Sequence, residues 1–482
     1  MDSSTTGIRP NYINGEWRPA ETHSERRNPS DLSESIGRFA IASPADVADA
    51  VTAAHQALPG WSAETPQKRQ DILNKAADIV IRRKDELAVL LSREEGKTLV
   101  EAKAEVTKAG ETFRYFAGEA VRMAGASLRS VRAGVDIDMR REPVGVMALI
   151  TPWNFPFSIP VWKSAPALAY GNCAILKPAD LTNAIAWELA KILHEAGVPP
   201  GVFQLVMGGP ETGAALVSDQ GIDGVSFTGS GAVGRRIAKD VVDRGVRLQL
   251  ELGGKNPLYV ASDADMAKAV DAAIKGGFYS TGQRCTASSR IIVDAAIHDR
   301  FVEELLARTR ALRIGHALDP KTDIGPLASA PQLQRVSGFI AQAEQDGAEC
   351  RYGGDSLERE TEGYFFSPAI FTRGDMRQII NREEVFGPVI SVFKAQDFDA
   401  AVKIANATEY GLSAGIFTAS HAKARAFMRA STAGMVMVNL PTVGSDYHVP
   451  FGGRGASAYG PKEMGLGAVE FFTETKTVYI AD

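Results

Sequence analysis

Val225-Ser226-Phe227-Thr228-Gly229-Ser230-Gly231-Ala232-Val233-Gly234 is the stretch on which the fold reading turns. Its first four residues are strand formers, and residues 232–242 carry apolar side chains at helical spacing. Between them lies G-x-G-x-x-G in the setting the motif requires, with a strand entering and a helix leaving. Glycines let a backbone approach a pyrophosphate, and a helix N-terminus presents free N–H groups and a positive dipole end. Gly229, Ser230 and Gly234 are therefore candidate phosphate contacts. The plain alternative is a glycine-rich turn without a ligand.

The same alternation extends outward on the N-terminal side. Residues 145–151, 174–177, 203–207 and 224–227 read as strands, and 162–170, 184–196, 213–218 and 232–242 as helices. That pitch builds a doubly wound parallel sheet, so the fold class is α/β, with ligands expected at the carboxyl ends of the strands. Further upstream, 44–57, 66–83, 84–95 and 99–123 have helical periodicity. Residues 129–142 alternate through Val131, Val135, Ile137 and Met139 as an exposed hairpin would. A second α/β series spans 254–434. Residues 471–480 form a terminal β segment that needs a pairing partner, another subunit included.

At 482 residues the chain is too long for one ordinary core, so two or more domains are expected. A net charge of −5 leaves no basic footprint for nucleic acid. Three cysteines, Cys173, Cys285 and Cys350, make a poor disulfide framework and suit a reducing, cytoplasmic setting. The first residues lack signal-peptide character, and apolar runs fall far short of the roughly 20 residues that span a membrane. The seven histidines are scattered, so no metal site is expected.

Three groups outside the glycine turn carry chemistry. Cys285 sits in Gly282-Gln283-Arg284-Cys285-Thr286, with Arg284 and Arg290 as nearby cations that would stabilise a thiolate. A small buried hydrophobe is the usual fate of a lone cysteine. Glu251, before Gly253-Gly254, could deprotonate a thiol or a water, or be an exposed strand-end acid. It also lies near the roughly 20-residue spacing of a ribose-binding acid, but Lys177 and Asp180, at a strand's carboxyl end, suit a ribose better. Asn154, in Thr151-Pro152-Trp153-Asn154-Phe155-Pro156, is held in a loop stiffened by two prolines and could steady an oxyanion.

The order and wording of these motifs are specific. Residues 151–156 (TPWNFP), 176–179 (LKPA), 227–230 (FTGS), 251–255 (ELGGK), 282–286 (GQRCT), 383–389 (EEVFGPV) and 450–453 (PFGG) resemble the aldehyde dehydrogenase superfamily, from Asn14-Gly15-Glu16-Trp17 to the terminal strand. The resemblance implies a Rossmann-like NAD(P)-binding domain (1–123 and 143–251) and an α/β catalytic domain (252–434). It also implies a small β oligomerisation part (124–142 and 435–482) that would join homodimers or homotetramers. Cys285 matches the nucleophile, Asn154 the oxyanion holder, Glu251 the base that hydrolyses the thioester, and Lys163 a lysine supporting that network. Lys177 and Asp180 match ribose contacts, Trp153 and Ser230 pyrophosphate contacts, and Glu384 and Phe386 the nicotinamide-ribose side. NAD and NADP both stay open, because the short Asp180 leaves room for a 2′-phosphate.

Within the pocket, Arg284 would suit a substrate with a second, anionic group, or serve only the thiol. Phe155, Trp162 and Phe451 would form an apolar wall. The 441–451 loop adds Ser445 and the His448 imidazole, while Lys108 is a possible second cation or a solvent-facing lysine. The run 445–457 (SDYHVPFGGRGAS) is similar to dehydrogenases of α-ketoglutaric semialdehyde (2,5-dioxopentanoate). Succinic semialdehyde, or aldehydes in general, are the alternatives. A CoA-acylating enzyme and a non-catalytic scaffold are rivals that the joint presence of Cys285, Glu251 and Asn154 disfavours.

Overall fold

A computed structural model describes residues 7–481. Its first large sheet has five parallel strands at the centre, in the spatial order Arg247–Glu251, Gly224–Thr228, Val146–Ile150, Cys173–Lys177, Phe203–Leu205. The order reverses between Val146–Ile150 and Gly224–Thr228, which opens a crevice at the carboxyl ends of these two strands. Both are almost wholly buried, because helices cover each face of the sheet. Short antiparallel strands close its edges, Ala458–Tyr459 beside Arg247–Glu251 and Asn11–Ile13 beside Phe203–Leu205. The Arg247–Glu251 strand has no counterpart in the sequence reading. Its Arg-Leu-Gln-Leu-Glu sequence carries only two apolar residues, short of the continuous apolar run expected of a buried parallel strand.

The glycine turn folds as its sequence predicts. The Gly231–Val241 helix starts at Ser230, whose Oγ accepts from the Val233 N–H. Gly234 lies inside that helix with its α-carbon against the sheet. An added Cβ would sit 2.6 Å from Leu252 Cδ2, so this glycine serves close packing.

A second sheet runs Glu349–Tyr352, Ala369–Thr372, Val389–Ala395, Ser288–Asp294, Asn256–Val260, Ser413–Phe417, Met435–Val438. Only the first pairing is antiparallel. The expected boundary at 434 therefore falls just before a strand that belongs to this sheet. Thr473–Ala481 pairs along its whole length with Val135–Pro143, and Ala126–Arg129 completes a three-stranded antiparallel sheet. The hairpin is thus longer than 129–142, and Val131, expected within a strand, sits exposed in its turn.

The long helix expected over 99–123 spans Leu99–Ala120 and opens with a capping box between Thr98 and Glu101. Val106, Phe113 and Phe116 are buried on one side. Glu101, Glu105 and Lys108, spaced at i, i+4 and i+7, share another face. The helix expected over 162–170 begins earlier, at Ser158. Pro160 falls in its first turn, where a missing N–H breaks no helical bond. No helix among the described residues is long and apolar enough to cross a membrane.

Replacing Gly234 by valine forces a branched side chain against Leu252. We expect it to lower the unfolding free energy by about 2 kcal/mol in denaturant titration.

Candidate active site

Two cavities meet at Cys285. One, of about 280 Å³, is lined by Phe155, Trp162, Phe451, Glu251, Arg284 and Lys108 among others. The other, of about 190 Å³, is lined by Trp153, Asn154, Gly229, Ser230, Glu384 and Phe386 among others. Cys285, Ile159, Thr228 and Leu252 belong to both walls.

Cys285 follows a strained turn. Ser280, Thr281 and Gly282 all have left-handed backbones, with φ of 51°, 55° and 65°. A β-branched threonine is rarely found there, so the surroundings must enforce it. They do so at several points. Glu101 Oε1 accepts from the Ser280 N–H (2.7 Å) and Oγ (3.0 Å), and Thr281 Oγ1 donates to the carbonyls of Gly325 and Pro326 (3.0 and 3.1 Å). A Cβ at position 282 would run into the Gly387 carbonyl.

Arg284 and Arg290 do not do what the sequence suggested. The Arg284 guanidinium donates to Glu101 Oε1 (3.0 Å) and Ser280 Oγ (2.8 Å). Arg290 is buried and spends its N–H groups on the carbonyls of Lys255, Ile404 and Ala405. The thiol of Cys285 is accordingly pushed up, not down, by burial and by the carboxylates of Glu384 and Glu251. Cys173 is buried in a strand, and Cys350 lies outside both cavities.

Asn154 is buried, and its amide donates to the Gln283 carbonyl (3.0 Å), which holds it beside the cysteine loop. Its own carbonyl accepts from Lys97 Nζ (2.7 Å). Lys97 is paired with Glu105 (2.6 Å), and Glu105 Oε1 accepts from the N–H groups of Phe157 and Ser158 (both 3.0 Å). This buried pair therefore clamps both ends of the Asn154–Phe157 loop. The i, i+4 spacing of Glu101 and Glu105 was its one signal in the sequence.

Glu251 ends its strand inside the first cavity, buried, with no hydrogen-bond partner of good geometry for either carboxylate oxygen among the described residues. Burial holds its pKa well above the usual range, and Glu463 adds like-charge repulsion. An orphaned buried carboxylate in a cavity has the character of a general base. Lys163 makes a close ion pair with Glu463 and donates to Ser226 Oγ (2.7 Å). Sequence reasoning missed Glu463, which lies in an ordinary-looking Pro-Lys-Glu-Met run.

The second cavity, by the chemistry of its lining, suits the phosphate and nicotinamide side of a dinucleotide. It opens at the strand-order reversal and carries the N-cap of the Gly231–Val241 helix. Phe386, itself left-handed at φ 60°, packs edge-on to Trp153 with ring centroids 5.3 Å apart. Glu384 Oε1 accepts from the Gly254 N–H (2.9 Å), and burial pushes its pKa up to about 7. Lys177 donates to the Gly208 carbonyl (2.9 Å), while Asp180 is exposed at the same strand end. Gly234, buried against Leu252, is not in the cavity wall. His448, weighed as a pocket imidazole, is exposed and outside the first cavity.

Comparison with known proteins agrees with this geometry. The model of the aldehyde dehydrogenase family matches residues 17–478. The chain belongs to the aldehyde dehydrogenase family. It is 41% identical to the alpha-ketoglutaric semialdehyde dehydrogenase of Bacillus subtilis, over 98% of this chain and 97% of that one. A solved betaine aldehyde dehydrogenase of Staphylococcus aureus in complex with NAD+ superposes with a TM-score of 0.96 at 32% identity, covering 98% and 95% of the two chains. An E. coli NADP-dependent enzyme does so with a TM-score of 0.95 at 34% identity, over 100% of both. As a family member the protein is an NAD(P)-dependent aldehyde dehydrogenase.

Lys97→Met leaves Glu105 buried without its counter-charge and releases the Asn154 carbonyl. We expect a stability loss of about 3 kcal/mol in denaturant titration. In steady-state assays kcat should fall more than KM rises, because the loop that carries Asn154 beside Cys285 loosens.

Proposed function

We propose that the protein oxidises α-ketoglutaric semialdehyde to 2-oxoglutarate through a thioester on Cys285. The placement of Cys285 on the wall common to both cavities carries this reading. An aldehyde in the first cavity reaches the sulfur from one side, and a cofactor in the second reaches it from the other. Trp153, Ser230, Gly229, Glu384 and Phe386 would line the bound dinucleotide, with Lys177 and Asp180 toward a ribose. Bound NAD or NADP supplies the acceptor for the hydride that turns the thiohemiacetal into a thioester.

The chain's own groups do the rest. The Cys285 thiol, which burial favours in its neutral form, would give its proton to ionised Glu251 or to a water as its sulfur attacks the carbonyl carbon. Asn154 Nδ2, with the Cys285 N–H, would steady the oxygen as it gains charge. Glu251 would take the proton from the attacking water that hydrolyses the thioester. Lys163 and Glu463, paired nearby, would hold the charge balance as Glu251 ionises. Hydrolysis by water makes the enzyme non-acylating, so adding CoA should leave the product a free acid.

Phe155, Trp162 and Phe451 form the apolar wall around the substrate chain, with Trp162 and Phe451 centroids 5.2 Å apart. Arg284 and Ser445 supply the polar part of that wall. The B. subtilis relative's name supports an aldehyde that carries a carboxylate. The three-part division read from the sequence is retained, with the Met435–Val438 strand added to the catalytic part. The Thr473–Ala481 sheet would join copies into a homo-oligomer. Three free cysteines fit a cytoplasmic setting.

Following reduced-nicotinamide absorbance with each cofactor tests the reading. The kcat/KM for α-ketoglutaric semialdehyde should exceed that for pentanal and for betaine aldehyde by about tenfold or more, since a charged hydrogen bond contributes roughly 1.5–3 kcal/mol. Equal turnover of the neutral or the cationic aldehyde would discard the carboxylate substrate. Cys285→Ala should lose about 1,000-fold or more of kcat. Both the thiol and Glu251 act deprotonated, and burial raises both pKa values. Activity on pentanal should therefore climb as pH rises from neutral, as a pH-rate profile would show.

A further inference from the structure

The charges lining the first cavity fall into ion pairs, apart from Glu251 and Lys108. Glu101 is matched by Arg284 (3.0 Å) and Glu105 by Lys97 (2.6 Å), while Glu463 is matched by Lys163. Glu251 is held toward its neutral form by burial. Lys108 is the cation left over. It makes no ion pair among the described residues, and its Nζ donates to the carbonyl and to Oγ (2.5 Å) of Ser445. Glu111 on its own helix and Asp446 on the facing loop border a neighbouring cavity, together with Lys103 and Tyr447. Both acids act on Lys108 through space only, as does Glu105.

Its position is as telling as its charge. Lys108 and Ser445 line both the catalytic cavity and that neighbouring cavity, so they stand where the two meet. The ammonium lies over the Trp162 ring, 5.2 Å from its centroid, and Trp162 belongs to the apolar wall. A neutral hydroxyl and a carbonyl are poor compensation for a half-buried ammonium, and desolvation lowers its pKa to about 8. A carboxylate arriving at the cavity would supply the missing counter-charge.

We infer that Lys108, with the Ser445 hydroxyl, is the group that reads the remote carboxylate of the substrate, and that Arg284 is instead a positioning residue for the cysteine turn. The inference rests on the semialdehyde reading above, but it concerns which residue recognises the carboxylate. Arg284 is unsuited to that task, because its guanidinium is already engaged by Glu101 and Ser280. A carboxylate placed against it would compete with the carboxylate that anchors the turn.

The test compares wild type, Lys108→Met, Lys108→Arg and Arg284→Met in two assays. The first is the ratio of kcat/KM for α-ketoglutaric semialdehyde over pentanal. The second is inhibition of pentanal oxidation by glutarate, which carries a remote carboxylate whichever aldehyde the enzyme prefers. In Lys108→Met the ratio should fall by about 30-fold and the glutarate inhibition constant rise by a similar factor, mostly through binding. Lys108→Arg should recover most of both, because it keeps a cation at the same place. Arg284→Met should lower kcat on both aldehydes alike and leave the ratio standing. In the wild type the ratio should decline as pH rises through about 8, where the ammonium loses its proton.

An unchanged glutarate constant in Lys108→Met, or a loss of inhibition in Arg284→Met alone, overturns the inference. A wild-type ratio near one with glutarate inhibition still lost in Lys108→Met sinks the semialdehyde reading and leaves Lys108 as the carboxylate reader.

Discussion

The carboxylate of Glu101 is the contact on which the catalytic arrangement depends. One oxygen completes the capping box that starts the Leu99–Ala120 helix, accepting from the Thr98 N–H and hydroxyl (3.1 and 2.8 Å). The other holds Ser280 and Arg284, and through them a turn of three left-handed residues. Without such anchors, a threonine and a serine at positive φ would relax toward ordinary backbone regions. The cysteine three residues further on would move with them. A single side chain thus couples the start of a helix to the placement of Cys285.

One helical turn later, Glu105 performs the same kind of task for the opposite side of the site. With Lys97 it fixes the loop that carries Asn154. One further turn along, Lys108 faces the substrate cavity. The same helix face therefore organises the Cys285 turn and the Asn154 loop, and borders the first cavity. The adjoining side is locked into the core by Val106, Phe113 and Phe116. Rigidity at this helix is what lets three short polar contacts act as fixed points.

Both ionisable groups at the centre, Cys285 and Glu251, are tuned by environment. Burial favours their neutral forms in the free enzyme. Their paired neighbours, Lys163 with Glu463 and Lys97 with Glu105, keep the remaining buried charges balanced. The site is polarised locally without carrying a large net charge.

By itself the sequence determined the α/β class, the glycine turn with its strand and helix, and the family, and it singled out Cys285, Glu251 and Asn154 as candidates. These are legible because strand and helix periodicity are local, and because short motifs such as 282–286 and 251–255 keep reacting groups and their backbone supports contiguous. Tertiary structure alone decided who pairs with whom. Nothing local shows that Glu101 meets Ser280 and Arg284, that Glu463 meets Lys163, or that Arg290 turns to backbone carbonyls. Those partners lie from 35 to 300 residues apart along the chain. Charge compensation depends on distance in space, so the same arginine reads as a thiol activator in one dimension and as a structural anchor in three.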